Sequence, residues 1–178
     1  MKKVLALVLL FLVSAFIPSL NCKAQQTLGD LNNNTLTSDK AIKCGNIVMI
    51  SYLDKLSNIS HNDMEIYNIS RLDEFMENIE KGKKDKIRIV KYANSASGTW
   101  VNKLYDLKYD GKKIVDIEYD AYSNPNVFIP SQPLVFNKVI KRDYPDGIWY
   151  GICYSEKGKE ECASLISFRK SSIVDIKE

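Results

Sequence analysis

Histidine is almost missing from this chain of 178 residues: His61 stands alone, beside four cysteines and two tryptophans. Imidazole catalysis and the usual nitrogen- and sulfur-ligated metal sites therefore have little raw material. Long apolar runs are missing too. The longest, Val4 to Ile17, is stopped by Pro18 and is too short to cross a bilayer as a stable helix. Charge of one sign is not in surplus either. The formal net charge is +3, and loss of Lys2, Lys3 and Lys23 with an export signal leaves the mature chain neutral, which removes the electrostatic case for nucleic acid. With eight glycines and five prolines, and with 45% apolar and 26% charged residues, the composition excludes a collagen-like repeat and global disorder and leaves an ordinary globular domain.

What the sequence does contain begins with an address. Lys2 and Lys3 form a positive start, Val4 to Ile17 an apolar core, and two cleavage sites compete behind it. Cys22-Lys23-Ala24 has small residues at the first and third positions before Gln25, which suits ordinary signal peptidase and makes residues 1–24 the signal peptide. Ser19-Leu20-Asn21-Cys22 resembles a lipoprotein box loosely, which makes Cys22 the candidate lipid attachment and shortens the signal to 1–21. Both alternatives put the protein outside the cytoplasm, secreted or anchored to the outer face of the cell membrane, with membrane contact only through Cys22. Cysteines oxidise in such compartments.

Residues 25–38, QQTLGDLNNNTLTS, are polar and free of aromatics and read as a flexible tether. Residues 39–178 are long enough for a single domain. A helical turn is expected over Lys40 to Lys43, ended by Gly45, and then a strand over Asn46 to Tyr52. Leu53 to Ile69 lacks a steady period and reads as a loop. The glycosylation patterns at Asn33, Asn58 and Asn68 read as plain polar loops behind a bacterial-looking signal. Ser70 suits an N-cap with Asp73 three residues on; Leu72, Phe75, Met76 and Ile79 recur at helical spacing; Gly82 suits the C-cap. Strands follow over Lys86 to Tyr92, Leu104 to Tyr109 and Lys113 to Tyr119. Parity of their apolar positions predicts a three-residue loop around Asp110-Gly111, with Gly111 left-handed. Ser123 to Pro133, with three prolines, is expected to be an irregular excursion, followed by strands over Leu134 to Ile140, Ile148 to Tyr154 and Glu160 to Phe168. The expected fold is α+β, with one main helix packed on a mostly antiparallel, hairpin-built sheet.

Three stretches, DKAIKCGNIV from Asp39, RLDEFMENIEKGKKDKIRIVKY from Arg71 and LYDLKYDGKKI from Leu104, together resemble a bacterial family known as domain of unknown function 4362. The resemblance covers Asp39 to about Tyr119. It implies export, often with a lipid anchor, and a small α+β domain; it supplies no activity, no cofactor and no catalytic residue. The chain departs from the family's pattern where it carries Ser95-Ala-Ser-Gly-Thr-Trp100, and in the close spacing of Cys153 and Cys162.

The chemistry left to weigh is sparse. His61 with Ser57, Ser60 and Asp63 could be drawn as a nucleophile and base, but no Gly-x-Ser-x-Gly elbow accompanies them, and a solvated loop histidine is the plainer reading. Asp116, Glu118 and Asp120, with Asp106 expected on the same side, could hold Ca²⁺ or act as acid and base; equally they are the wet face of a half-buried sheet neutralised by Lys103, Lys108 and Lys113. Lys81 to Lys86 could touch anionic polymer or complement a helix C-terminus. Trp100, Tyr122, Trp149, Tyr150 and Tyr154 could form a binding surface or cap the sheet core. Lys157-Gly158 as a two-residue hairpin loop sets Cys153 directly opposite Cys162 and predicts a disulfide between them, leaving Cys44 unpaired. The leading functional reading is a non-catalytic envelope domain that binds an envelope protein or wall component through its sheet face and proline loop. The alternative is an envelope hydrolase or hydrolase inhibitor that uses the carboxylate face.

Overall fold

The computed structural model describes residues 32, 34–53, 64–124, 126–156 and 158–175. Helix α1 (Ser38–Lys43) is capped by the Thr37 hydroxyl, which accepts from the Lys40 amide, and ends at Gly45 with φ +72°. Order starts before it. Leu36, inside the stretch read as tether, is 3% exposed and its carbonyl accepts from the Tyr92 hydroxyl at 2.8 Å, so apolar burial brings residues 36–38 into the domain.

Strand β1 (Ile47–Tyr52) has its first four residues buried on both faces, the signature of a central strand. Its antiparallel neighbour β2 (Met64–Tyr67) lies inside the region read as loop. Four residues with one buried position, Ile66, are too few to show alternation in sequence. Asn68, at φ +56°, then turns the chain, and its side-chain amide donates to the carbonyls of Ile42 and Asn46.

Helix α2 (Ser70–Glu80) buries Leu72 and Phe75 fully and packs Met76 and Ile79 against the same core. The cap differs from expectation: Ile69 occupies the N-cap position without a side-chain bond, and Ser70 is the first helical residue. Asp73 is drawn away instead, accepting from Tyr150 Oη and Lys141 Nζ, both at 2.9 Å. At the other end Gly82 has φ +65°.

A meander of β3 (Asp85–Ser95), β4 (Gly98–Tyr109) and β5 (Ile114–Asp120) follows, β3 lying parallel to β1 and the other pairs antiparallel. Two short strands, β6 (Ile129–Pro130) and β7 (Leu134–Phe136), both pair with the outer side of β5 and complete a first sheet of order β2-β1-β3-β4-β5-β6. Leu134 to Ile140 is not one strand. The chain leaves the first sheet at Asn137, whose amide donates to the Cys153 carbonyl, and enters a second sheet of β8 (Lys138–Asp143), β9 (Gly147–Glu156) and β10 (Lys159–Arg169). A 3-10 turn over Lys170–Ser172 follows.

Two cores result. One face of the first sheet, through Ile47, Ile89 and Leu107, packs on α2 and on Tyr150, Ile152 and Phe168 of the second sheet; the other, through Val48, Val90 and Leu104, packs on Ala41, Leu36 and Phe128. One main helix on mostly antiparallel sheet is present, but strands dominate and form two sheets, so the fold is mostly β.

Candidate functional site

The β4–β5 hairpin decides where the carboxylates go. Tyr109 pairs with Ile114, so the loop spans residues 110–113, one longer than expected. Asp110 closes it: its carboxylate accepts from the Lys112 and Lys113 amides, both at 2.8 Å, and Gly111 takes φ +102°. An even loop inverts the parity. Leu107 then stands opposite Asp116 and Tyr105 opposite Glu118, while Asp106 stands opposite Ile117 on the other face. The four acids expected on one side are divided between two.

Asp116 is consequently on the core side, 8% exposed, between Leu107 of β4 and Leu134 of β7. Its Oδ1 is buried and has no hydrogen-bond partner. Burial, reinforced by the negative charges of Glu118 and Asp106, pushes its carboxyl up to about 6. Beyond Glu118 the same face carries Lys103, whose Nζ reaches Glu118 at 3.1 Å, and Lys91, whose Nζ donates to the Leu165 carbonyl at 2.6 Å. Burial and the neighbouring Lys103 lower Lys91 to about 8. Tyr105 lies beneath both cations, 5.1 Å from Lys91 and 5.9 Å from Lys103, with its phenol raised by burial.

The remaining acids are committed elsewhere. Asp106 receives a bidentate grip from Arg88 at 2.6 and 2.7 Å and a third bond from the Tyr119 hydroxyl at 3.1 Å. Asp120 caps the following turn, accepting from the Ser123 hydroxyl and from the Tyr122 and Ser123 amides, which hold its carboxyl below the usual range. Lys103 is the expected neutralising lysine that reaches a carboxylate; Arg88 serves Asp106 instead. Lys91 had a signal in the sequence, since it continues the odd-numbered inward positions of Ile87 and Ile89.

At the outer side of β5 the chain exposes large apolar groups. Ile129 is 44% exposed, Leu134 59% and Val135 52%, whereas Tyr122, also exposed, turns its hydroxyl back to Asn102 of β4. Pro130 and Pro133 punctuate the same segment, and Ser131 donates its amide to Glu118 at 2.8 Å.

Of the other candidates, Tyr150 is core, and Tyr154 donates to Glu161 at 2.5 Å. Trp149 lies over Gly151 on the outward side of the second sheet, its Nε1 donating to Ser164 and its ring 5.0 Å from the Arg142 guanidinium. Lys81 pairs with Glu77 at 2.9 Å. Two depressions of about 440 and 360 Å³ share Asp146 and Arg169 and are lined by none of the four acids. Cys153 and Cys162 are in register and bonded, Cα to Cα 4.1 Å. Among the described residues the trio of metal-ligand type that comes together is Cys153, Glu160 and Cys162, two of whose sulfurs are bonded to each other. Cys44 is disulfide-bonded rather than unpaired. Cys22, His61, Ser57, Ser60 and Asp63 also lie outside the described residues. Among the described residues no helix is long and apolar enough to cross a membrane.

Residues 56–126 match the family described as a domain of unknown function, DUF4362, and the chain resembles that family over this stretch, which runs from before β2 to the turn after β5. The motif from Asp39 lies outside the matched stretch. No curated protein and no solved structure matches the chain.

Proposed function

We propose that the protein is an exported envelope protein whose folded domain is a non-catalytic binding module, and that its contact surface is the outer edge of the first sheet. The observation that carries this reading is the exposure of Ile129, Leu134 and Val135 on the two short strands outside β5, since clustered exposed apolar groups on a globular domain mark interaction sites. Pro130 and Pro133 withhold two backbone donors from that edge, which disfavours adding a further strand and favours docking through side chains. The partner is accordingly an envelope protein or wall component that presents an apolar surface. The amino-terminal Lys2, Lys3 and Val4 to Ile17 support export, and the Cys153–Cys162 disulfide suits an oxidising compartment.

The division of the carboxylates supports the non-catalytic side of the reading. A hydrolytic pair needs two accessible carboxyls facing one space; Asp106 and Asp120 are tied to Arg88 and to a turn, and of the two acids that share a face Asp116 is buried and Glu118 is paired with Lys103. The experiment that tests the reading is capture from isolated envelope by the mature chain, compared with a chain carrying lysine at Ile129 and Leu134.

A further inference from the structure

Strand β7 is weakly held at its start. It pairs with β5 through Leu134, Val135 and Phe136; Phe136 is buried and packs on Tyr154 of β9, while Leu134 and Val135 are exposed. An element with so few buried apolar contacts belongs to the low-stability end of a fold. Directly beside its first residue, in register across the β5–β7 pair, lies Asp116, an almost fully buried carboxyl with one oxygen lacking a donor. Leaving a charge in that position costs far more than leaving a neutral acid there.

We propose that Asp116 is a proton-operated latch for the edge segment Ile129–Phe136: the neutral carboxyl lets β7 lie against β5, and the ionised carboxylate draws water beneath Leu134 and loosens that pairing. This rests on the reading of the edge as the binding surface, and it makes the presentation of Leu134 and Val135 depend on the pH outside the cell.

The surroundings of Asp116 bias its ionisation one way. On its own strand Glu118 shares its face, and from β4 come Tyr105 and, from the opposite face, Asp106. The nearby cations are engaged elsewhere: Lys103 with Glu118 at 3.1 Å, Arg88 with Asp106 at 2.6 Å, and Lys91 with the Leu165 carbonyl at 2.6 Å. From β7 only Leu134, Val135 and Phe136 approach. Burial first, then Glu118, then Asp106 hold the proton on, to about pH 6.

Residue-resolved amide exchange on the mature chain between about pH 4.5 and 8, with intrinsic rates divided out, tests the latch. The opening equilibrium of the Leu134 and Phe136 amides is expected to rise about ten- to a hundredfold through a midpoint near 6 and to stay well above that of the α2 amides at every pH, which marks the opening as local. Asp116→Asn keeps the shape, removes the titration, and is expected to abolish that rise. A carbon-13 titration of the Asp116 carboxyl should show the same midpoint. Flat protection in the wild type, an equal rise in Asp116→Asn, or a carboxyl midpoint near an ordinary value of about 4 overturns the proposal. Should Asp116→Asn fail to fold, the two wild-type measurements decide alone. No partner is present in any of them, so they fail or succeed independently of the binding reading, which capture by the lysine variants decides.

Discussion

Leu107 faces Asp116 across the β4–β5 hairpin, and that pairing puts a carboxyl on the face where the apolar alternation of β4 (Tyr105, Leu107, Tyr109) packs into the core. The fold tolerates it at a cost. With an ordinary value of 3.8 and a folded value of about 6, the folded chain binds the proton more tightly than the unfolded chain in between. The Asp116 contribution to stability is therefore fully present below about pH 4 and is lost as pH rises through 6.

Asp116→Asn is expected to raise stability by about 1–3 kcal/mol at pH 7.5 and to change it little at pH 4. Urea unfolding at the two pH values measures this. Equal effects at both would mean that the carboxyl titrates as a solvated one.

The stripe of α2 gives the second expectation. Phe75 is fully buried between the two sheets, so Phe75→Ala should cost about 3–5 kcal/mol. A loss below about 1 kcal/mol in chemical denaturation contradicts the packing described.

How much of this was legible in the sequence depends on the length of each signal. The α2 stripe, the hairpin register at Lys159 and Glu156, and the glycine turns at Gly45, Gly82 and Gly111 are local patterns and could be read directly. β2 is too short to show a period, and nothing local in Leu134 to Ile140 marks Asn137 as the point where the backbone partner changes from β5 to β9. The faces of the acids do not follow from apolar parity because both faces of the first sheet are covered: the odd positions of β4 pack into one core and those of β5 into the other. Ser70 looked like a cap because Asp73 lay at the right spacing, but Asp73 serves Tyr150 and Lys141 at long range. The carboxylate row itself was visible; its division between two faces was not.

Gly151 gives a third expectation. A Cβ there would meet the Trp149 ring at 2.0 Å, and the ring is tethered by Ser164 at 3.0 Å. Gly151→Ala should displace the indole, cost about 1–3 kcal/mol and alter Trp149 fluorescence, and adding Trp149→Ala should recover part of the loss. An unchanged emission spectrum speaks against the contact.

The cysteines give a fourth. Digestion of the non-reduced mature protein should release a peptide joining Cys153 to Cys162, and breaking that bond should cost about 2–3 kcal/mol through loop-closure entropy. A crosslink from either cysteine to Cys44 contradicts the register of β9 and β10.

The most direct test of the binding reading is quantitative capture. Mature protein immobilised away from the β5 edge is incubated with solubilised envelope, beside a double variant, Ile129→Lys with Leu134→Lys, whose melting temperature is checked first. The account predicts one saturable species that the wild type retains and the variant loses by tenfold or more. Retention of the same species at the same level by the folded variant, or no saturable species on the wild type, would contradict it.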